Sequence, residues 1–163
     1  RTHGAPIRSR NPCSACGVAG VRKACVATLT GLAFPYHYGG AMASHEKNAA
    51  LFVGTMFHSA TITHLQHLAS KSFAQHMALG EYYEAIPDLV DKYAEAYQGR
   101  YGIISGYDVE FHKQRDPKAY VKGLLDFLDE IKATLPKNSD LVNLFDAVVD
   151  AVTSLKYKLE NLS

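Results

Sequence analysis

Four side chains that commonly bind metal ions recur in the middle of the sequence at spacings that suit helices. His64 and His76 are followed by Asp91 and Glu95, which lie four residues apart and so share one face of a helix. Imidazole and carboxylate groups together suit iron or zinc in a helical bundle. Any one of these residues alone would more commonly cap a core edge or belong to a solvated helix face. Such a set can bind a metal ion, and both interpretations of these residues stay open on their types alone.

Helix geometry predicts that this site needs two chains. His76 and Asp91 are separated by about 22 Å along a continuous helix, although they lie within about 60° of the same face. An antiparallel pairing of two copies would bring His76 of one chain near Asp91 and Glu95 of the other. His64 and His76 flank a short turn and can converge within one chain. His67, three residues after His64, is a residue that supports the ligands, an alternative ligand, or a polar residue of the helix face.

The first 44 residues carry a second metal-binding pattern. Cys13, Cys16 and Cys25 are the only cysteines, and their odd number fits a metal site or free thiols better than a disulfide framework. Three thiolates and one histidine would make a structural zinc site, with the fourth ligand from His3, His37 or His45. Zinc binding and free cysteines are both open alternatives, because a single CxxC motif is a weak signal.

Composition and charge narrow the class of protein. The chain has 163 residues, of which 47% are hydrophobic and 20% charged, which excludes disordered and collagen-like classes. No apolar run is long enough to cross a bilayer, so no membrane partner is expected. The first 44 residues hold five Lys and Arg and no Asp or Glu, while the remainder holds 12 basic and 16 acidic residues. A basic arm of this kind predicts contact with a protein neighbour or with DNA phosphates.

Helical periodicity begins near residue 45 and defines four helices. The first follows Ser44 as N-cap and ends near Ser70, and the second follows the capping-box pattern of Ser72 and Gln75 and ends at Gly99. Pro87 lies inside the second helix, and we expect a kink rather than a stop because the apolar spacing continues past it. Asp116 and Pro117 start the third helix, Pro136 closes it, and Asn138 or Ser139 caps the fourth.

The lengths of the connections predict the fold. A short turn, a longer crossover over residues 100–115 and another short turn join the four helices, which is the arrangement of ferritin-like bundles. The expected fold is therefore an all-α, ferritin-like four-helix bundle over residues 45–163, preceded by an irregular, basic, Cys-containing arm over residues 1–44.

The spacing of His64, His76, Asp91 and Glu95 resembles that of the ferroxidase site in the Dps family of mini-ferritins. The sequence is further similar to a group of phage-encoded Dps-like proteins in three segments: Phe73-Ala74-Gln75-His76, Glu81-Tyr82-Tyr83 and Tyr97-Gln98-Gly99. The resemblance implies iron as the bound metal, a site shared between two subunits and a closed oligomer. It covers residues 45 to 100 closely and the last two helices only by pattern.

Three residues depart from the Dps pattern. Leu65 follows His64 where the family often has Trp, and Gly80 stands four residues after His76 where many members carry an acidic ligand for a second iron. Pro87 has no expected counterpart. These differences bear on the second iron and on the helix register, and they leave the four primary positions intact.

Two functions follow as expectations. The first is oxidation of Fe(II) at the site shared between subunits, in a cytoplasmic homo-oligomer. The alternative is a structural or virion-associated assembly protein that uses the same bundle without catalysis, with its arm held on a neighbouring protein. The resemblance also implies that a basic terminal tail could hold DNA without reading its sequence.

Overall fold

A computed structural model describes residues 42–107 and 116–162 of the chain. These residues form four helices and no strand: α1 (Met42–Ala69), α2 (Phe73–Tyr101), α3 (Pro117–Lys132) and α4 (Ser139–Asn161). The expectation of an all-α four-helix bundle is confirmed. None of the helices in the described ranges is long and apolar enough to cross a membrane.

The helices pack in a closed ring in the order α1, α2, α4, α3. Contacts between helix ends show their directions: Arg100 near the end of α2 pairs with Asp140 at the start of α4, and Glu81 near the start of α2 pairs with Lys158 near the end of α4. Neighbouring α2 and α4 are therefore antiparallel. The connection from α2 to α3 joins diagonal helices, as the single long crossover predicted.

Caps set most of the helix boundaries. The Ser72 side chain accepts from the Gln75 amide, but the Gln75 side chain accepts from Ser70 and so does not complete the capping box. Asp116 accepts from the amides of Lys118 and Ala119, with Pro117 as the first helical residue, as predicted. The local sequence thus accounts for the starts of α2 and α3.

Two predicted boundaries were wrong. Helix α1 begins at Met42, before the expected N-cap at Ser44. Helix α2 continues past Gly99 to Tyr101 and is capped by Gly102, whose φ of 98° suits glycine and whose amide donates to the Gln98 carbonyl. The helix also continues through Pro87, which confirms that this proline does not end it.

Among the described residues the core is mostly apolar, and it contains a small group of buried hydroxyls. Phe52, Leu79, Ile86, Leu141 and Leu155 are among its fully buried side chains. These hydroxyls belong to Ser59 and Thr63 of α1 and to Tyr82 of α2. Because these hydroxyls bond to each other or to backbone carbonyls, their burial is compensated.

Candidate metal site

Histidines gather where α1 ends and α2 begins. His64 and His67 lie in the last two turns of α1, and His76 lies in the first turn of α2, beyond a turn of only three residues. The His67 and His76 rings stack with centroids 3.6 Å apart, and the His64 and His67 rings are 6.0 Å apart. The two candidate ligands His64 and His76 are thus linked through His67, whose ring contacts both.

Hydrogen bonds to the main chain hold two of the rings. His67 Nδ1 is 2.7 Å from the carbonyl oxygen of His76, and His76 Nδ1 is 3.0 Å from the carbonyl oxygen of His67. His64 instead stacks on the Tyr83 ring at 4.1 Å and is exposed. All three histidines thus keep at least one ring nitrogen free of hydrogen bonds to other described residues.

Tyr83 and Gly80 complete this cluster, and sequence reasoning did not assign either a role in it. Tyr83 lies seven residues after His76 and contacts both His64 and His67, the latter edge-on at 5.2 Å. A Cβ atom at Gly80 would lie 3.3 Å from two atoms of the His67 ring. The His67 ring thus lies close beside residue 80, so a side chain there would require the ring to shift by a few tenths of an ångström. The spacing from His76, which places residues 80 and 83 on its face, could have indicated both.

Asp91 and Glu95 lie further along α2, on the outer surface. Both side chains are exposed, and neither makes an ion pair or hydrogen bond with another residue of the described ranges. Other acids of the helix do have partners: Asp88 pairs with Lys92 and Glu81 with Lys158. The two carboxylates are therefore available to a cation from outside the chain.

No three His, Cys, Asp or Glu residues within residues 42–107 and 116–162 are close enough to hold a metal ion together. His64, His67 and His76 form one group and Asp91 and Glu95 another, with about 22 Å of continuous helix between His76 and Asp91. A single chain thus supplies two separate sets of ligands. The described residues of one chain do not bring the two sets together, and a site completed by a second chain stays a prediction.

A groove runs past the histidine group on the surface of α2. It has a volume of about 600 Å³ and is lined by His67, Tyr83, Glu84, Met77 and Lys158 among others. Glu84 brings a carboxylate into the same groove as the imidazole of His67.

The arm residues Cys13, Cys16 and Cys25 lie outside the described residues, as do His3 and His37. His45, the remaining candidate for a fourth zinc ligand, donates from Nδ1 to the Thr134 carbonyl at 2.9 Å. Zinc binding by the arm stays a prediction.

No curated protein and no solved structure shows significant similarity to the chain. The model of one protein family matches residues 67–159 and so includes His67, His76, Asp91 and Glu95 but not His64. The match extends over more than half of the chain and takes in α2, α3 and most of α4. The protein therefore belongs to this family, which is described as a family of unknown function (DUF5856).

Proposed function

We propose that the protein is a Dps-like homo-oligomer that binds Fe(II) at a site shared by two subunits and oxidises it there. His64 and His76 of one subunit and Asp91 and Glu95 of the other are the proposed ligands. The observation that carries this proposal is the separation of two ligand groups, the histidines where α1 meets α2 and the exposed carboxylates further along α2, neither of which forms a metal site within the described residues of one chain.

An antiparallel pairing of two α2 helices would complete both sites at once. The two-fold axis would pass near Tyr83 and Glu84, midway between His76 and Asp91 in sequence. His76 of each copy would then face Asp91 and Glu95 of the other, so carboxylates without a partner in the described part of their own chain would lie against imidazoles. A two-fold contact of this kind yields two equivalent sites per dimer.

The ligand types suit Fe(II) as a substrate. The carboxylates would bind the ion and offset its charge, and the histidines would hold it while leaving positions open to an oxidant. Oxidation removes one electron from each Fe(II), and oxygen or peroxide is the acceptor in this proposal. With Gly80 in place of an acid, the chain offers ligands for one iron at each site.

Assembly without catalysis is the second candidate function, and exposed apolar side chains favour it. Leu68 is 68% exposed, Phe73 80% and Met77 54%, all at the histidine end of the bundle. Large apolar side chains clustered on a surface are typical of contact sites. In this alternative the same face joins subunits, and the metal ligands serve no chemical step.

Iron oxidation by single variants tests the first candidate. Fe(II) added to the wild-type protein should give ferric absorbance faster than buffer does, and His64→Ala and Asp91→Ala should each abolish the gain. Asp88→Ala is the matched control, because Asp88 is an exposed carboxylate of the same helix outside the proposed ligand set. Equal rates in the wild type and both ligand variants would leave assembly as the function.

Mixing variants tests whether the site is shared. A His64→Ala, His76→Ala protein and an Asp91→Ala, Glu95→Ala protein should each be inactive. Mixed dimers carry one intact site, so random subunit exchange should restore roughly a quarter of wild-type activity. Background activity after verified exchange would refute the shared site.

A further inference from the structure

The pairing of His67 with His76 has a chemical consequence beyond closing the turn. A carbonyl oxygen only accepts hydrogen bonds, so the two short contacts require a proton on Nδ1 of both rings. A neutral imidazole protonated at Nδ1 carries its lone pair on Nε2. Both rings are therefore held in the tautomer that binds a metal ion through Nε2.

We infer that His67 is a positioning residue for His76, which it holds in the orientation and tautomer needed to bind metal through Nε2. The metal-binding role of His76 rests on the proposed function, whereas its positioning by His67 rests on the geometry of the two rings. The rings are stacked at 3.6 Å with an angle of 24° between their planes. This contact limits rotation of the His76 side chain, and so keeps its Nδ1 directed at the carbonyl of residue 67.

The surroundings hold the His67 ring in turn. Its Nδ1 donates to the main chain of α2, its edge meets Tyr83, and the absence of a side chain at Gly80 leaves room for it. His76 is in the first turn of α2 and only half-buried, so its ring has few other neighbours to fix it. Metal ligands are commonly oriented by a hydrogen bond from the second ring nitrogen, and losing such support typically costs 10- to 100-fold in metal affinity.

This support matters more at a shared site than at one built within a chain. The carboxylates would come from another subunit, so the histidine half must already be oriented when the two halves meet. His64 lacks a comparable tether, since its ring stacks on Tyr83 without a hydrogen bond to other described residues. His76 is therefore the ligand whose geometry the fold determines most closely.

The first experiment needs no metal. Long-range proton–nitrogen NMR spectra of the ¹⁵N-labelled full-length protein at constant pH report which ring nitrogen carries the proton. His67 and His76 should both show the Nδ1–H tautomer in the wild type. His67→Ala removes the stacking ring but keeps the carbonyl at residue 67, so His76 should shift to a mixture of tautomers. His67→Phe restores a stacked ring and should restore the Nδ1–H tautomer of His76.

The second experiment measures binding of Co(II), followed by its visible absorbance, in the same proteins. His67→Ala should weaken binding about tenfold, His67→Phe should recover most of the affinity, and Lys71→Ala in the adjoining turn should have no effect. Equal loss in His67→Ala and His67→Phe, with the His76 tautomer unchanged, would overturn the inference and make His67 a ligand itself. An Nε2–H tautomer for His76 in the wild type would also overturn it. If the wild type binds no metal, the proposed function fails, and the tautomer spectra alone decide whether His67 positions His76.

Discussion

The Ser59 hydroxyl lies 2.8 Å from the Tyr82 hydroxyl in the buried interface between α1 and α2. Ser59 also donates to the Met56 carbonyl at 2.6 Å, so the proton between the two hydroxyls comes from Tyr82. Loss of this hydrogen bond would therefore affect the two hydroxyl groups differently. Ser59 retains a second partner, whereas Tyr82 loses its acceptor.

This inequality predicts different costs for the two single substitutions. Ser59→Ala should destabilise the protein by about 1–3 kcal/mol, because it removes the acceptor of a buried hydroxyl, whereas Tyr82→Phe should cost about 0.5–1.5 kcal/mol. The double variant should cost less than the sum of the two. Urea unfolding followed by circular dichroism measures all three, and additive costs would show that the bond contributes nothing.

Two glycines provide a matched test of the space beside the His67 ring. Gly123→Ala on the exposed side of α3 should stabilise the protein by about 0.5–1 kcal/mol, because alanine favours the helix and a Cβ there meets nothing within 4 Å. Gly80→Ala gains the same preference but places its Cβ 3.3 Å from the His67 ring. We therefore expect Gly80→Ala to be less stabilising than Gly123→Ala in thermal unfolding. Equal gains would show that the ring moves without cost.

Buried tyrosines predict a loss of stability in alkali. Burial raises the pKa of Tyr82, Tyr93 and Tyr120 well above the ordinary value near 10. Since the folded state favours their neutral form, the contribution of these tyrosines to stability should be constant below about pH 10 and should fall as the pH rises beyond it. Phenolate absorbance should show several of the 10 tyrosines ionising only as the helical signal is lost. Their ionisation near pH 10 in the folded protein would contradict the burial.

The Arg100–Asp140 pair predicts a smaller effect in acid. The guanidinium of Arg100 donates to the Asp140 carboxylate at 2.9 Å and lowers its pKa below the ordinary value of 3.8. The stabilisation is therefore present above about pH 4 and is lost as the pH falls through the lowered pKa. Asp140→Asn should reduce the melting temperature slightly at pH 6 and much less at pH 3. Asp126→Asn, in an exposed pair within α3, is the control for a general charge effect.

Local signals in the sequence account for most of the fold. The start of α3 is set locally, because the Asp116 side chain accepts from amides two and three residues later and Pro117 has a fixed φ that suits a helix. The end of α2 was less predictable, since Gly99 and Gly102 offer equivalent caps. The choice depends on Tyr101, which donates to Asn138 at the start of α4 and so extends the helix by a contact between distant residues.

The sequence could place the proposed ligands along the helices, but it could not give the arrangement of the side chains around them. Spacing placed His76 and Asp91 on one face of α2, which periodicity alone can show. The central position of His67 could not be read in the same way, because it depends on side-chain rotamers and on the approach of two helix ends across a turn. The effect of a side chain at position 80 likewise depends on the neighbouring His67 ring, whose position the sequence does not give.

The diagonal connection between α2 and α3 also bears on how the chain folds. Contacts within the α1–α2 and α3–α4 hairpins span short sequence separations, whereas those of α2 with α4 and of α1 with α3 require the long loop to close. Because closing a loop costs entropy before distant contacts form, the two hairpins should form early and dock late. The docking interface contains the Arg100–Asp140 and Glu81–Lys158 pairs, so changes there should mainly accelerate unfolding, while changes within either hairpin should also slow refolding.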